Sequence, residues 1–225
     1  MNRNRPLIIC GNGAMAQTMF HVLERTHEVV AFTVEDEFVQ QRELLGQELV
    51  PFSEITHRFT PSSYAMLIAI GFVKMNAVRQ RLYTQAKSHG YQLISYVHHS
   101  VDLHNHIVIG ENCIIMEHVA IHPGTTIGNN TFISSNANIG HDCRIGENCW
   151  INGGVSIAGG VVIENNCVVG VNASLGHKLI LGEKTFVGAH TLVVRNTAPA
   201  SVLLSPEGEK HRLSSDNFLK FSGVV

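Results

Sequence analysis

The chain carries little charge and no long apolar run, and both absences narrow what it can be. Charged residues make up 15% of the 225, and the formal net charge is −2. No basic tract or RNA-binding motif is present, so nucleic acid is not expected as a partner. No stretch of about 18 consecutive apolar residues occurs, so no membrane span is expected. The opening MNRNRPLIICGNG runs straight into a strand and lacks the cleavage region of a signal peptide. A cytoplasmic location is therefore expected. At 44% hydrophobic the chain still has ample material for a core.

What the chain does have is a ruler. From Val97 to Val193 every sixth residue is aliphatic, seventeen positions without a gap, among them Leu103, Ile109, Ile127, Ile145, Ile163 and Leu181. Neither a helix of period 3.6 nor a strand of period 2 gives a strict six, whereas a solenoid with six-residue sides does. Four residues after each aliphatic stands a small or apolar one, such as Cys113, Thr131, Ala137 or Val155. An eighteen-residue echo runs through IGENC at Ile109, IGNNT at Ile127, IGENC at Ile145, IENNC at Ile163 and LGEKT at Leu181. Three sides per turn describe a triangular prism of about five coils, each strand stacked roughly 4.8 Å from its equivalent one coil earlier. The Gly and Asn residues between sides supply the positive-φ corners. This is the hexapeptide pattern of a left-handed parallel β-helix.

The repeat also explains the cysteines. Cys113, Cys143, Cys149 and Cys167 fall on the small inward position, and Cys10 ends an apolar strand. Plain packing is the expectation for all five, since a free Cys behaves as a small buried hydrophobe.

Ahead of the prism lies a different pattern. Pro6–Cys10 is a short apolar run followed by GNGAMA at Gly11 and a helical stretch to Arg25. Strand, Gly-rich turn and helix are the context in which backbone amides meet a phosphate. A second strand, His27–Asp36, ends in Glu35 and Asp36, where an acidic group can accept from a ribose or a base. Ala65–Ile70 is a third strand ending at Gly71, before a helix carrying Lys74, Asn76 and Arg79, and Tyr91–Val97 is a fourth. The fold class expected is thus an α/β Rossmann-like N-terminal domain over 1–96, a left-handed β-helix over 97–198, and a cap or tail over 199–225 in which Asp216–Phe221 forms a short helix or strand. With only one mononucleotide half, the first domain suits a nucleotide-linked ligand better than a dinucleotide.

Nine of the 14 histidines lie between His98 and His190. His104 and His122 are eighteen apart and so fall on adjacent coils. His141, Gly159 and His177 share one column. Two chemistries compete. In one, His141 is a general base oriented by Asp142, and the Gly159 amide holds a developing oxyanion. In the other, His104, His118 and His122 bind zinc, as in γ-class carbonic anhydrases on the same prism. For each of these histidines a solvated turn residue is the plain alternative.

The sequence resembles the bacterial sugar O- and N-acyltransferases that include sialic acid O-acetyltransferase and the N-acetyltransferases of UDP-4-amino-sugars and GDP-perosamine. The residues that carry the resemblance are GNGAMA at Gly11, FTVED at Phe32, AIGFVKMNAVR at Ala69, GHDCRIG at Gly140 and INGGVSIAGGVVI at Ile151. It implies an acetyl-CoA-dependent N-acyltransferase working on a nucleotide-linked amino sugar, without a metal. It implies His141, Asp142 and Gly159 as the catalytic set, and Asn152, Gly160, Val171, Gly188 and Ala189 along acyl-CoA in a groove between subunits of a homotrimer. It implies Gly11, Asn12, Gly13, Glu35, Gly71 and Lys74 around the nucleotide sugar. Trp150 stands where some relatives have a second histidine near the acceptor, and LLSPEGEK replaces the usual ending. O-acylation of a sugar hydroxyl and a non-catalytic trimeric scaffold are the competing readings.

Overall fold

The structure, a computed structural model, describes residues 5–223. Its first part is a six-stranded sheet. Three continuous apolar runs form its centre: Leu7–Cys10 (β1), Val29–Val34 (β2) and Ala65–Ile68 (β5). Runs without polar alternation suit strands covered on both faces. Glu43–Leu44 (β3) and Gln47–Pro51 (β4) add a hairpin at one edge, turning on Leu45 and Gly46 at positive φ. Gln92–Leu93 (β6) closes the other edge, giving the order β3-β4-β2-β1-β5-β6. Every pairing is parallel except β3 with β4. Ala14–Leu23 (α1) covers one face through Met19, Phe20 and Leu23. The short Ile55–Arg58 (α2) and Ala77–Ser88 (α3) cover the other through Ile55, Leu82 and Ala86.

The expectation of one strand over Tyr91–Val97 is corrected. The stretch divides into β6 and Tyr96–Val97 (β7), which belongs to the prism and pairs with Ile114–Ile115. Ser95 makes the hand-over: its hydroxyl donates to Gly110 O at 2.9 Å and accepts from Cys113 N at 3.0 Å. The β3–β4 hairpin was not foreseen either, because its strands are short and mixed in polarity.

From β7 onward the chain winds through stacked two-residue parallel strands on three faces, the architecture of a left-handed hexapeptide β-helix. One face has seven strands, from Tyr96–Val97 to Val202–Leu203, and the other two have five each. Register is eighteen up to the last step, with Ile133 on Ile151 and Ile139 on Ile157, and falls to sixteen where Phe186 pairs with Val202. Ruler aliphatics and small residues fill the axis as one buried cluster, and the cysteines of the repeat lie in it. All five cysteines are free and buried. Corner residues take the left-handed conformation: Asn112, Asn130, Asn148 and Asn166 along one edge, Gly124, Asp142, Gly160 and Lys178 along another. Asn, Asp and Gly tolerate that region best.

The ruler fails once. Leu103 is 45% exposed and lies in no strand, while Val101, the small inward position four residues after Val97, is buried in its own column with Val119 and Ala137. The first turn has no coil beneath it to fix the register, so its second side forms no strand and Leu103 is left outside.

The seven-stranded face is not a solvent face. Its outward residues Ile114, Phe132, Trp150 and Val168 are buried together with Met19, Phe20 and Leu67 of the first part. This face is therefore docked against the α/β part, and the other two faces are open. Beyond the prism, Ser215–Ser222 (α4) is capped by Ser214 and has no buried residue.

Candidate active site

His141 and Asp142 sit on the edge where the two open faces meet, the edge opposite the docked face. His141 Nδ1 lies 2.8 Å from Asp142 Oδ2. A carboxylate can only accept, so Nδ1 carries the proton and Nε2 presents its lone pair. Both side chains are exposed, 62% and 72%. The ring leans over Gly159 one coil on, where a methyl on Gly159 would collide with His141 Nε2. The Asp142 carboxylate leans the other way, over Gly124 one coil back, where a methyl would meet its Oδ1. Glycines on both neighbouring coils thus give the pair its room. Among the described residues, Gly159 N–H donates no hydrogen bond, whereas Gly160 N donates to His141 O at 2.8 Å. The basic nitrogen therefore stands over the Cα of a residue whose amide is unpaired. Sequence reasoning missed Gly124, although its place eighteen residues before Asp142 was available as a signal.

The positions tied by resemblance to acyl-CoA divide between edges. Gly160 lies beside the His141 pair. Asn152, Val171, Gly188 and Ala189 lie along the edge between the docked face and the second open face. Asn152 is fully engaged: its Nδ2 donates to Val169 O at 2.8 Å and its Oδ1 accepts from Trp150 Nε1 at 3.0 Å. Val171 is 47% exposed, and Gly188 is approached by Leu204. Trp150 itself is 7% exposed, stacked on Phe132 at 4.0 Å between centroids and 5.5 Å from Phe72. It lies in the seam between the two parts.

The third cluster lies at the carboxyl ends of β1 and β5. The chain leaves β1 towards β2 on one side and returns to β5 on the other, which opens a crevice at this switch point. Gly11 has φ +131, and a Cβ there would stand 2.7 Å from Ala69 O. Only glycine permits that approach. Gly13 caps α1 with no side-chain bond, leaving the helix N-terminus open to an anion. Asn12 Nδ2 is 3.3 Å from Phe38 O, and the space beside Gly71 is open. Glu35 is engaged by Arg81 at 2.6 Å, and Asp36 holds Ser53. Lys74 begins a run with Met75 and Asn76 in which all three residues have positive φ, 50°, 51° and 65°.

His104, His118 and His122 line one open groove of about 380 Å³ with Ser100 and Asp102. Among the described residues, no three His, Cys, Asp or Glu converge as metal ligands.

Sequence reasoning also missed the seam itself. Along the edge between the first open face and the docked face, Asn112 Nδ2 donates to Asn130 Oδ1 at 2.8 Å and Asn130 Nδ2 to Asn148 Oδ1 at 2.7 Å. Arg79 of α3, 2% exposed, donates to Asn130 O, Asn148 O and Cys149 O and lies 5.3 Å over the Trp150 ring. Burial pulls its guanidinium down to about 10, still charged at neutral pH. Further along α3, Tyr83 and Lys87 bond Glu111 at 2.6 and 2.8 Å.

The family profile described as the GMPPB C-terminal domain matches residues 109–206, all of them in the prism or just beyond its last coil. No curated protein matches the chain. Among solved structures, a mutant of perosamine N-acetyltransferase from Caulobacter crescentus, in complex with CoA and GDP-perosamine, is 27% identical with a TM-score of 0.80, covering 90% of this chain and 94% of that one. The acetyltransferase domain of PglB from Neisseria gonorrhoeae FA1090, in complex with acetyl coenzyme A, is 18% identical with a TM-score of 0.78, covering 90% and 97%. WeeI from Acinetobacter baumannii AYE is likewise 18% identical, with a TM-score of 0.77 and the same coverage. At that identity the last two speak for the fold alone.

Proposed function

We propose that the chain is an acetyl-CoA-dependent N-acyltransferase acting on the amino group of a nucleotide-linked amino sugar. The observation that carries the reading is the His141–Asp142 pair, its Nε2 held over Gly159, whose amide makes no hydrogen bond among the described residues. The similarity to a perosamine N-acetyltransferase over nine-tenths of the chain supports it. In this reading residues 1–96 hold the nucleotide sugar, 97–198 carry out transfer, and 199–225 form a tail whose Val202–Leu203 adds a last strand to the prism.

The acceptor nitrogen attacks the thioester carbonyl carbon. His141 Nε2 takes the proton that this nitrogen loses, and Asp142 stabilises the resulting imidazolium. The Gly159 amide donates to the oxygen that becomes negative. As the tetrahedral intermediate collapses, the carbon–sulfur bond breaks, and CoA leaves as the thiol with the proton that His141 held. The products are an amide and free CoA.

The reading also requires more than one copy. His141 lies on the edge opposite the docked face, the proposed nucleotide crevice belongs to the part on that face, and four of the five acyl-CoA positions lie on another edge. One triangular prism cannot bring those three places to one point. A homotrimer, in which the His141 edge of one copy meets the crevice and acyl-CoA edge of the next, resolves the conflict. None of the described helices is long and apolar enough to cross a membrane, in keeping with soluble substrates.

The test is an acceptor screen of UDP-, dTDP- and GDP-linked amino sugars with acetyl-CoA, read by mass spectrometry. One of them is expected to gain a single acetyl group with the wild type and far more slowly with His141→Asn. Acetylation of none of them, or equal rates in the two proteins, overturns the proposal.

A further inference from the structure

The segment from Ala69 to Asn76, which leaves β5 at the mouth of the crevice, is tied to the prism at both ends. At the first end, Ile68 N donates to Asn112 Oδ1 at 2.8 Å, and Asn112 Nδ2 reaches back to Ile68 O at 3.4 Å. At the other, Asn76 Nδ2 lies 3.5 Å from both Asn166 O and Cys167 O, and Asn76 Oδ1 accepts from Arg79 at 3.0 Å. Between the ends, Lys74, Met75 and Asn76 hold a left-handed conformation that is costly at each residue with a Cβ. Such a run persists only where its surroundings over-determine it.

Arg79 is the surrounding group best placed to do so. Its guanidinium joins Asn76 to carbonyls of two successive prism coils: Asn130 O at 2.5 Å, then Asn148 O and Cys149 O at 3.1 Å each. Among the described residues no carboxylate pairs with it, and its Nε has no partner. A buried cation without a counter-ion is an expensive way to glue two surfaces, and an apolar side chain of similar volume does that more cheaply. What an apolar side chain cannot do is fix several carbonyls and an amide at set angles. The rigid fork of arginine does this, and a lysine ammonium does not.

We infer that Arg79 is a positioning residue: it holds Ala69–Asn76 in the shape that binds the nucleotide-linked substrate, and so sets affinity at the crevice without touching the ligand. This rests on the nucleotide-sugar reading of the crevice given above.

The test uses the full chain, with Arg79→Lys and Asn76→Ala as variants. The second leaves the arginine's prism bonds in place while untying the segment. UDP, GDP and CoA are titrated calorimetrically, and hydrogen exchange is followed through 69–76. Both variants are expected to bind the preferred nucleoside diphosphate about tenfold more weakly or worse, as for a segment that holds its binding shape a tenth of the time. CoA affinity is expected to stay within about twofold, and amides of 69–76 to exchange faster while those of α1 do not. Wild-type nucleotide affinity and exchange in both variants overturn the positioning role alone. Equal loss of nucleotide and CoA binding with a lowered melting temperature reduces Arg79 to a structural strut and overturns it too. A wild type that binds neither UDP nor GDP fails the nucleotide-sugar reading itself, before any variant is made.

Discussion

Two edges of the same prism are built from the same six-residue unit, with a left-handed residue at the same place in each corner, and they have opposite fates. Along one, Asn112, Asn130 and Asn148 are buried, bonded to one another, and closed over by β5 and α3. Along the other, Asp142 occupies the matching corner and stays in solvent with His141. The backbone treats the two edges alike. What differs is the cover. Where another element lies on the edge, polar side chains must find partners within the protein, and they become cohesion. Where none does, a polar pair keeps a free lone pair and a free amide beside it, and chemistry becomes available.

That contrast can be broken or sharpened by experiment. The largest effect is expected at the open edge: His141→Asn lowers turnover by about 10² to 10⁴, the span of general-base contributions. Its melting temperature is expected to match the wild type, since an exposed residue carries little of the fold's stability. A large loss of stability with retained turnover would reverse the roles of the two edges. At the seam the balance is opposite. Trp150→Ala empties a site between Phe132, Phe72 and Arg79 and is expected to destabilise by about 3–5 kcal/mol in urea unfolding. A cost under about 1 kcal/mol would mean that the docked face is not the cohesive one.

Gly159→Ala sharpens the comparison within the open edge. The added methyl has no room beside His141 Nε2, so the ring must swing aside. Turnover is expected to fall about 10²-fold, as for other misplacements near 1 Å, with stability almost unchanged. Wild-type rates would place the ring elsewhere.

Smaller effects follow at Glu111 and at the cysteines. Burial pushes the Glu111 carboxyl up, but bonds from Lys87 and Tyr83 outweigh it and leave its pKa lowered. Its contribution is therefore present above the ordinary carboxylate range and lost as pH falls through the lowered value. Glu111→Gln should cost at most about 1 kcal/mol at neutral pH, because the pair is partly exposed, and the acid limb of stability should flatten. An unchanged acid limb would remove Glu111 from the seam's account. The five cysteines should take up no thiol reagent at pH 8 until the chain is unfolded, since each is buried and burial pushes Cys113 up to about 11. Rapid labelling of any one would show that the axis opens.

Much of this was legible in the residues. The ruler of sixes predicted the faces, the inward cysteines and the shared column of His141 and Gly159, because a strict period leaves the backbone almost no choice. The Leu103 position was misread for the converse reason: at the first turn no preceding coil enforces the period, and the side chain stays exposed. Two further signals were present and unread. The residue before every third aliphatic is apolar or aromatic, Ile114, Phe132, Trp150 and Val168, which marks one covered face. The asparagines eighteen apart read as turn formers, and turn formers they are, but their side chains also make a ladder.

By itself the sequence determined the period, the axis and the neighbours within each column, since all of these follow from spacing along one chain. Only the tertiary structure decided which face is docked and which edge stays open. It decided that Glu35 is engaged by Arg81, and that Arg79 crosses from α3 into the prism. Those outcomes depend on tertiary packing, most of it between two differently patterned regions, and contacts between residues 46 to 90 positions apart leave no period to read.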